Sequence, residues 1–375
     1  MNILRQLCVA AAFVALLGLG GCASVTTMFA TPGDAPHARP LPVAGTDLFD
    51  WKGVVHCHSL LSHDSEGTIE EISAACEATE LDFLVMTDHQ TEASIRDGVR
   101  GRIGDTLFMV GAEVRSPQGT LVAFPLQKPL RHWQHPGLLA REAHAQGGLA
   151  FVCHAEGWKI GWDVPGLDGA EIVNLHAGAT TAGYLGTLGA MVFLPLRWLF
   201  ERICWRDDRV FTAWDRQLQR QHPFTPIGGN DAHANVRVFG PLGGTIGTYR
   251  EVFLTLSTHV LAPRLDEASL VDAFRQGRTY VSFDIFGEGA GFDFRAVRND
   301  TVHVGGATVA ADPTLQLRVH TPAPGHIQLW RDGAVVQEVT GDSLVLTAPP
   351  PGTYRVEVRT VGGSPWLFSS SIRVR

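Results

Sequence analysis

The stretch Val54-Val55-His56-Cys57-His58 joins an apolar run to two histidines that are two positions apart. Side chains alternate across a β-strand, so His56 and His58 are predicted to point to one side and Cys57 to the other. A His-x-His pair is weak evidence by itself. Two imidazoles that face inward from a strand end nevertheless supply half of a metal site, and the remaining ligands should follow later in the chain.

Several later segments share one arrangement, in which an apolar run ends at a residue that can bind a metal. The runs and the residues that close them are Asp82–Met86 with His89, Leu107–Val110 with Glu113, Leu149–Val152 with His154, Ala170–Leu175 with His176, and Pro226–Gly229 with Asp231 and His233. Loops and helices separate these runs, and Thr68 with Glu71 forms a capping box at the start of one helix. The pattern predicts a parallel sheet that is buried on both faces.

The positions of the polar residues distinguish two kinds of parallel α/β fold. A closed β/α barrel carries its chemistry at the C-terminal ends of its strands. An open, doubly wound sheet usually gathers ligands near one switch point. Because candidate ligands follow nearly every strand, a barrel over residues 48–286 is the better prediction.

The chain changes character after Gly287. Segments 314–320, 327–330 and 354–359 alternate apolar and polar residues, and Arg331-Asp332-Gly333 is typical of a hairpin turn. Residues 287–375 are therefore predicted to form a small antiparallel β-sandwich. This part contains no cluster of catalytic residue types, which favours a structural or docking role.

Residues 1–22 combine a charged start, a short apolar run and small residues before Cys22, as in a secretory signal peptide. The segment resembles a bacterial lipobox, which implies cleavage before Cys22 and lipidation of that cysteine. An ordinary signal peptide or an N-terminal membrane anchor is the alternative. Residues 23–47 are predicted to be a flexible tether. We expect a lipid-anchored protein of the cell envelope, at the outer membrane and facing the periplasm.

Composition indicates a globular chain, with 375 residues, 45% hydrophobic and 18% charged. The net charge of -8 provides no basic surface, so nucleic acid is not expected as a partner. Cys57 and Cys153 each adjoin a candidate ligand on a strand. Alternation then places both thiols in the layer between sheet and helices, where they are expected to act as small apolar groups without a catalytic role.

Taken in order, these motifs resemble the PHP (polymerase and histidinol phosphatase) superfamily of metallohydrolases. The resemblance spans about residues 50–284, and its motifs are His56-x-His58 with Ser62-His63, Thr87-Asp88-His89, Gly111-Ala112-Glu113, Cys153-His154, Asn174-Leu175-His176 and Asn230-Asp231-Ala232-His233. The closing segment 366–372 resembles the tail of carbaryl-hydrolase-like members. Each motif is short, but their combination and order are specific.

The resemblance implies a distorted seven-stranded β/α (TIM-like) PHP barrel that holds three metals. The implied ligands are His56, His58, Glu113 and Asp231 for the first metal, Glu113, His154 and His176 for the second, and His63, His89 and His233 for the third. Many members carry aspartate where His63 stands, so the neighbouring Asp64 is an alternative ligand.

Imidazoles combined with two carboxylates suit zinc, manganese or iron better than calcium or magnesium. The resemblance implies that two to three such divalent transition metals are bound. A water that bridges two cations becomes a hydroxide nucleophile at neutral pH, and the metals neutralise charge on a phosphoryl group. Glu113, Asp231 and His233 are expected to serve catalysis as well as metal binding. The leading hypothesis is a phosphoesterase that acts on small-molecule or lipid-like phosphate mono- or diesters.

Two other function classes remain open. The same metals could hydrolyse a carboxyl ester, carbamate or amide, as the carbaryl-hydrolase resemblance allows. Alternatively, the chain could be a non-catalytic metal-binding lipoprotein. The cations available for phosphate binding are Lys159, Arg197, Arg237 and Arg264.

The segment Tyr184–Phe200 follows His176 closely and is apolar nearly all round. A buried helix followed by a loop is the first interpretation of this pattern. An apolar lid over the site, or a membrane contact, is the second.

Overall fold

The computed structural model describes residues 40–181, 196–233, 236–237 and 245–375. They form a mixed α/β fold that is built around a large sheet. The predicted signal peptide, the predicted lipidation site Cys22 and most of the predicted tether lie outside the described residues. At the end of that tether, Leu41 and Pro42 pair with the start of the next strand. No helix of the described part is long and apolar enough to cross a membrane.

Strands and α-helices are interspersed up to residue 286, and the regular elements described after it are strands. The helices are α1 (Ile69–Ala78), α2 (Glu92–Arg96), α3 (Pro136–His144), α4 (Leu175–Thr181), α5 (Leu196–Ile203), α6 (Asp208–Arg220), α7 (Tyr249–Phe253) and α8 (Glu267–Arg275). The strands up to residue 286 are β1 (Leu41–Pro42), β2 (Phe49–Cys57), β3 (Phe83–Met86), β4 (Gly101–Ile103), β5 (Thr106–Val110), β6 (Ala112–Arg115), β7 (Thr120–Phe124), β8 (Leu149–Cys153), β9 (Gly169–Asn174), β10 (Thr225–Ala232), β11 (Val236–Arg237), β12 (Thr245–Ile246), β13 (Ser257–Ala262) and β14 (Thr279–Ser282). The later strands are β15 (Asp293–Arg298), β16 (Thr301–Val304), β17 (Thr308–Val309), β18 (Gln316–Arg331), β19 (Ala334–Thr347), β20 (Gly352–Thr360), β21 (Pro365–Ser369) and β22 (Ile372–Val374).

Strand β2 lies at the centre of the sheet. It pairs in parallel with β3 and β10, and its first half pairs antiparallel with β1 and β13. Every residue of β2 after Phe49 is buried. A strand that is covered on both faces needs apolar side chains in consecutive positions, which explains Val54 next to Val55.

The sheet is not entirely parallel, which corrects the prediction. Strand β7 runs antiparallel to both β6 and β8. The chain reverses before β7 because the Ser116 hydroxyl accepts hydrogen bonds from the backbone N–H groups of Gln118, at 3.2 Å, and Gly119, at 3.1 Å. This is a side-chain-stabilised turn of the kind that serine and glycine favour. The sequence analysis identified strands as apolar runs that end at candidate ligands. Because no candidate ligand follows β7, this strand was not predicted.

Two apolar clusters lie on opposite faces of the sheet. One contains Val54 and Cys57 together with residues of helices α1, α3 and α6. The other contains Val55, Cys153 and residues of α8. Cys57 thus lies in the helix layer as predicted, whereas the prediction for Cys153 was wrong, because its Sγ lies 3.7 Å from Nδ1 of His56, on the side of the candidate ligands. The next residue, His154, has a left-handed φ of 47°, so the alternation used for the prediction ends there. Burial raises the pKa of both thiols well above the usual value.

The C-terminal strands surround a third apolar cluster. Residues 316–320 of the first predicted segment and all of 327–330 belong to one long strand, β18, which pairs antiparallel with β19 and β20. In the turn between β18 and β19, Asp332 has φ 53° and Gly333 has φ 85°. Two consecutive positive φ values are what a tight type I′ hairpin requires. The predicted hairpin turn is confirmed.

A buried arginine joins helix α6 to the C-terminal strands. Arg355 in β20 is 1% exposed. Its guanidinium donates to the two carboxylate oxygens of Asp215 in α6 at 2.6 and 2.8 Å and to Glu357 at 2.5 Å. It also lies over the rings of Trp214 and Trp330, 5.2 and 4.6 Å from their centroids. This two-pronged, desolvated pairing fixes how the helix packs on the strands.

We expect Arg355→Met to lower the free energy of unfolding by about 3–5 kcal/mol, because Asp215 would lose the cation that compensates its charge. Arg264→Met is the matched control, since the Arg264 side chain is 76% exposed where it pairs with Asp266, and its loss should cost less than about 1 kcal/mol. Chemical denaturation measures both. Equal losses would show that Arg355 contributes no more than a surface pair.

Candidate metal centre

The end of strand β2 brings two histidines to one pair of carboxylates. His56 has φ 72°, and the ladder with β3 is irregular between Val55 and Cys57. The simple alternation used in the sequence analysis is therefore interrupted. Nε2 of His56 nevertheless lies 3.5 Å from Oε2 of Glu113 and 3.4 Å from Oδ1 of Asp231. Nε2 of His58 lies 3.4 and 3.5 Å from the same two oxygens.

These separations fit a cation that would bind all four side chains. Two ligand atoms at about 2.0–2.1 Å from a tetrahedral ion are about 3.3 Å apart. Nε2 of His56 and Nε2 of His58 are both buried and have no hydrogen-bond partner. A buried polar atom without a partner is costly. A cation would satisfy both ring nitrogens and both carboxylates at once, so the residues fit the metal that the sequence implies.

Hydrogen bonds behind two of the histidines direct their Nε2 lone pairs into the site. Nδ1 of His56 lies 2.6 Å from Oε1 of Glu171, and Nδ1 of His233 lies 2.9 Å from the backbone carbonyl oxygen of Asp231. Both oxygens are acceptors, so Nδ1 carries the proton in each neutral ring. A neutral imidazole held in this way is the form that binds a metal through Nε2.

The same tautomer follows for His58 from a short chain of hydrogen bonds. Ser62 donates its hydroxyl proton to Oδ1 of Asp64 at 2.7 Å. Nδ1 of His58 lies 3.2 Å from the same hydroxyl oxygen. Because that hydroxyl has one proton, Nδ1 has to donate, and Nε2 of His58 keeps its lone pair.

A second group of donors lies on the other side of the two carboxylates. Nε2 of His154 is 3.4 Å from Oε1 of Glu113 and 3.5 Å from Oδ2 of Asp231. Each carboxylate therefore presents one oxygen to the β2 histidines and the other to His154. The ring of His176 lies 6.0 Å from that of His154, centroid to centroid, and the His176 side chain is exposed.

Asp64, rather than His63, lies between the histidines proposed for a third metal. Oδ2 of Asp64 is 2.9 Å from Nε2 of His89 and 3.4 Å from Nε2 of His233. His63 is exposed, although its ring lies beside that of His89 with centroids 4.7 Å apart. These distances make Asp64 the link between His89 and His233, and a ring nitrogen of His63 lies within 4.8 Å of ligand atoms of both Asp64 and His89.

The carboxylates make this pocket favour positive charge. Burial opposes protonation of His56, but Asp231 and Glu171 outweigh it and raise the pKa of His56 well above the usual value. Burial likewise opposes protonation of His154, yet hydrogen bonds led by Glu113 raise its pKa to about 12. Burial and the nearby His56 and His233 lower the pKa of His58. Protons and metal cations are alternative sources of that positive charge, and they compete for the same nitrogens.

Glu171 and Ser62 are site residues that the sequence analysis missed or left without a role. Glu171 is a fully buried carboxylate in β9. Its signal in the sequence is a single charge within the otherwise apolar run Gly169–Val173. Ser62 belongs to one of the motifs quoted above but was given no role, and its hydroxyl contacts His58 and Asp64.

The cations proposed for phosphate binding are engaged elsewhere or lie outside the described side chains. The described contacts join Lys159 to the carbonyl oxygen of Pro117, Arg197 to Glu201, and Arg264 to Asp266. The Arg237 side chain is outside the described part. Residues 184–195 of the predicted segment Tyr184–Phe200 are also outside it. The segment ends in α5, where Phe200 is buried and Trp198 is 59% exposed, so the choice between core and lid stays a prediction.

Neither a family model nor a curated protein matches this chain. Among solved structures, it is similar to a two-domain protein from Bacteroides vulgatus that contains a predicted PHP-like metal-dependent phosphoesterase, with 15% identity, a TM-score of 0.39, and coverage of 90% of this chain and 100% of that one. A provisionally assigned metal-dependent phosphoesterase from Bifidobacterium adolescentis has 12% identity and a TM-score of 0.29 over 53% of this chain and 94% of its own. An amidohydrolase from Chromobacterium violaceum, solved with bound sulfate and no metal, has 14% identity and a TM-score of 0.30 over 53% and 95%. TM-scores below 0.5 are too low to assign a family or an activity.

We expect Asp64→Ala to bind about one metal equivalent fewer per chain than the unmodified protein, because His89 and His233 would lose the oxygen between them. His63→Ala is the control and should keep the original number. Elemental analysis after reloading with Zn²⁺ measures both. A loss in His63→Ala with none in Asp64→Ala would assign the ligand to His63.

Proposed function

We propose that this chain is a metal-dependent phosphoesterase that hydrolyses phosphate mono- or diesters. The observation that carries the proposal is the meeting of the unpartnered Nε2 atoms of His56 and His58 with Glu113 and Asp231. Mixed imidazole and carboxylate ligands suit zinc, manganese or iron. The choice of phosphate esters among possible substrates rests on the sequence resemblance to PHP hydrolases.

We propose three groups of ligands, with Glu113 and Asp231 shared between the first two. They are His56, His58, Glu113 and Asp231 for the first metal, Glu113, Asp231, His154 and His176 for the second, and Asp64, His89 and His233 for the third. Bound divalent cations would polarise the phosphoryl group and lower the pKa of a coordinated water.

The protein's own residues would hold these cations at a fixed spacing. Glu113 directs Oε2 to the β2 histidines and Oε1 to His154, and Asp231 divides its two oxygens in the same way. Both carboxylates are buried or nearly so, which limits competition from water. A substrate oxygen that approaches the centre would meet positive charge held in a preorganised pocket.

We also propose that the strands around this site form a distorted seven-stranded barrel. The pairings that support it join β2 to β3, β3 to β5, β6 to β7, β7 to β8, β8 to β9, β9 to β10 and β10 to β2. In this proposal β5 and β6 are one strand that bends at Gly111. A Cβ at Gly111 would be 2.5 Å from the carbonyl oxygen of Ala123, so glycine allows the close approach at the bend.

We expect Asp231→Asn to reduce phosphoesterase activity on the order of 10²–10³-fold, because an amide provides one oxygen without charge where the carboxylate provides two. Asp266→Asn is the control and should be fully active, since Asp266 caps the start of α8 with its side chain 43% exposed. The assay compares phosphate mono- and diesters with carboxyl esters and carbamates on protein of known metal content. A preference for the carboxyl substrates would contradict the phosphoesterase proposal, and metal binding without turnover of any of them would favour the non-catalytic alternative.

The N-terminal sequence supports the further proposal of lipid anchorage at Cys22, in the outer membrane and facing the periplasm. The membrane would then be a partner through the lipid, and a lipid-like phosphoester would be within reach of the site. Metabolic labelling with a fatty acid should mark the unmodified protein and leave Cys22→Ser unlabelled. A labelled Cys22→Ser variant would contradict the lipobox interpretation.

A further inference from the structure

We infer that Glu171 is a positioning residue of the metal centre. It fixes the tautomer of His56 and the backbone at His154, and thereby sets how tightly the site binds its cation, without being a ligand. The inference rests on the metal centre proposed above and assigns a role to a buried carboxylate that the ligand set does not include.

The contacts of Glu171 join the ends of three strands. Oε1 lies 2.6 Å from Nδ1 of His56, at the end of β2. Oε2 accepts a hydrogen bond from the backbone N–H of His154, just after β8, at 3.1 Å, and from Nδ2 of Asn174, at the end of β9, at 3.0 Å. The Glu171 carboxylate therefore holds two proposed ligands, His56 through its ring nitrogen Nδ1 and His154 through its backbone N–H.

The location of Glu171 excludes it from the group of ligands around Nε2 of His56. Nδ1 and Nε2 lie on opposite sides of an imidazole ring, so Glu171 is behind the ring as seen from Glu113 and Asp231. A carboxylate in that place holds the ring in one orientation and makes it a stronger donor to a metal. The backbone of His154 is left-handed, with φ 47°. The hydrogen bond from the His154 N–H to Oε2 of Glu171 helps to hold this conformation.

The surrounding chain leaves room for this carboxylate. Gly229, in the neighbouring strand β10, would place a Cβ 2.5 Å from Cδ and Oε1 of Glu171 and 2.7 Å from Nδ2 of Asn174. Gly229 is not among the glycines with positive φ, so close packing, and not backbone conformation, explains glycine here. Asn174 in turn accepts a hydrogen bond from the backbone N–H of Ala177 at 3.0 Å, which extends the network into α4, the helix that carries His176.

The alternative is that Glu171 only stabilises the fold. Metal affinity separates the two roles, because a purely structural residue changes stability without changing the affinity of protein that remains folded. Glu357→Gln is the matched control, since Glu357 is also a buried carboxylate, 3% exposed, but accepts from Arg206 and Arg355 in the C-terminal part of the fold. Glu171→Gln keeps the shape of the side chain and one acceptor for His56, but its amide nitrogen cannot accept from His154 or Asn174.

The experiment measures Zn²⁺ affinity of the full chain by competition with a chromophoric chelator, together with the melting temperature of the metal-free protein. We expect Glu171→Gln to weaken Zn²⁺ binding by about 10- to 100-fold, with Glu357→Gln at the original affinity. Original affinity in Glu171→Gln, with only a lower melting temperature, would overturn the positioning role alone. Absence of Zn²⁺ binding by the unmodified protein would overturn the metal centre and this inference together.

Gly229→Ala provides a second route to the same answer if Glu171→Gln fails to fold. This variant keeps the carboxylate but crowds it, so it should displace Glu171 from His56 and weaken Zn²⁺ binding in the same assay. Original affinity in a folded Gly229→Ala variant would count against the positioning role.

Discussion

Two buried carboxylates that need positive charge are the constraint on which the rest of the site depends. Glu113 and Asp231 face the ring nitrogens of His56, His58 and His154 at 3.4–3.5 Å, and burial leaves little solvent to stabilise their charge. The backbone is shaped to satisfy this constraint. His56, His154 and Asp231 all have left-handed φ values, of 72°, 47° and 51°, which cost on the order of 1 kcal/mol each outside glycine. The flanking ladders of β2, β8 and β10 hold these conformations in place.

A layer of hydrogen-bonding groups behind the ligands keeps them in position. Glu171 holds His56, and Ser62 connects His58 to Asp64. The Tyr249 hydroxyl donates to the backbone carbonyl oxygen of His58 at 2.7 Å. These contacts come from β9, from the loop after β2 and from α7, so several separate elements fix the same few side chains. The orientation of the ligands therefore depends on hydrogen-bonding groups from several elements around the strand ends, as is usual for metal-binding histidines.

The sequence predicted the parts of this arrangement that follow from periodicity. An apolar run that ends at a polar residue identifies a strand end, and parallel strands bring such ends together, so Glu113, His154 and Asp231 could be placed near the β2 histidines. Irregular backbone was beyond that reasoning. Periodicity could not choose between His63 and Asp64, which lie in a loop. It also misplaced Cys153, because side-chain alternation ends at the next residue, His154.

Glu171 illustrates a different limit. A charge inside an apolar strand indicates a buried partner, but the sequence does not say which face it occupies or what lies there. The partner, His56, is 115 positions earlier in the chain. The two residues are close because β10 lies between β2 and β9 and pairs with both. A cation held by residues from β2, β6, β8 and β10 would cross-link those strands and stabilise the folded chain by mass action. Arg355 joins α6 to the C-terminal strands through other side chains, so losses at the two places should be nearly additive.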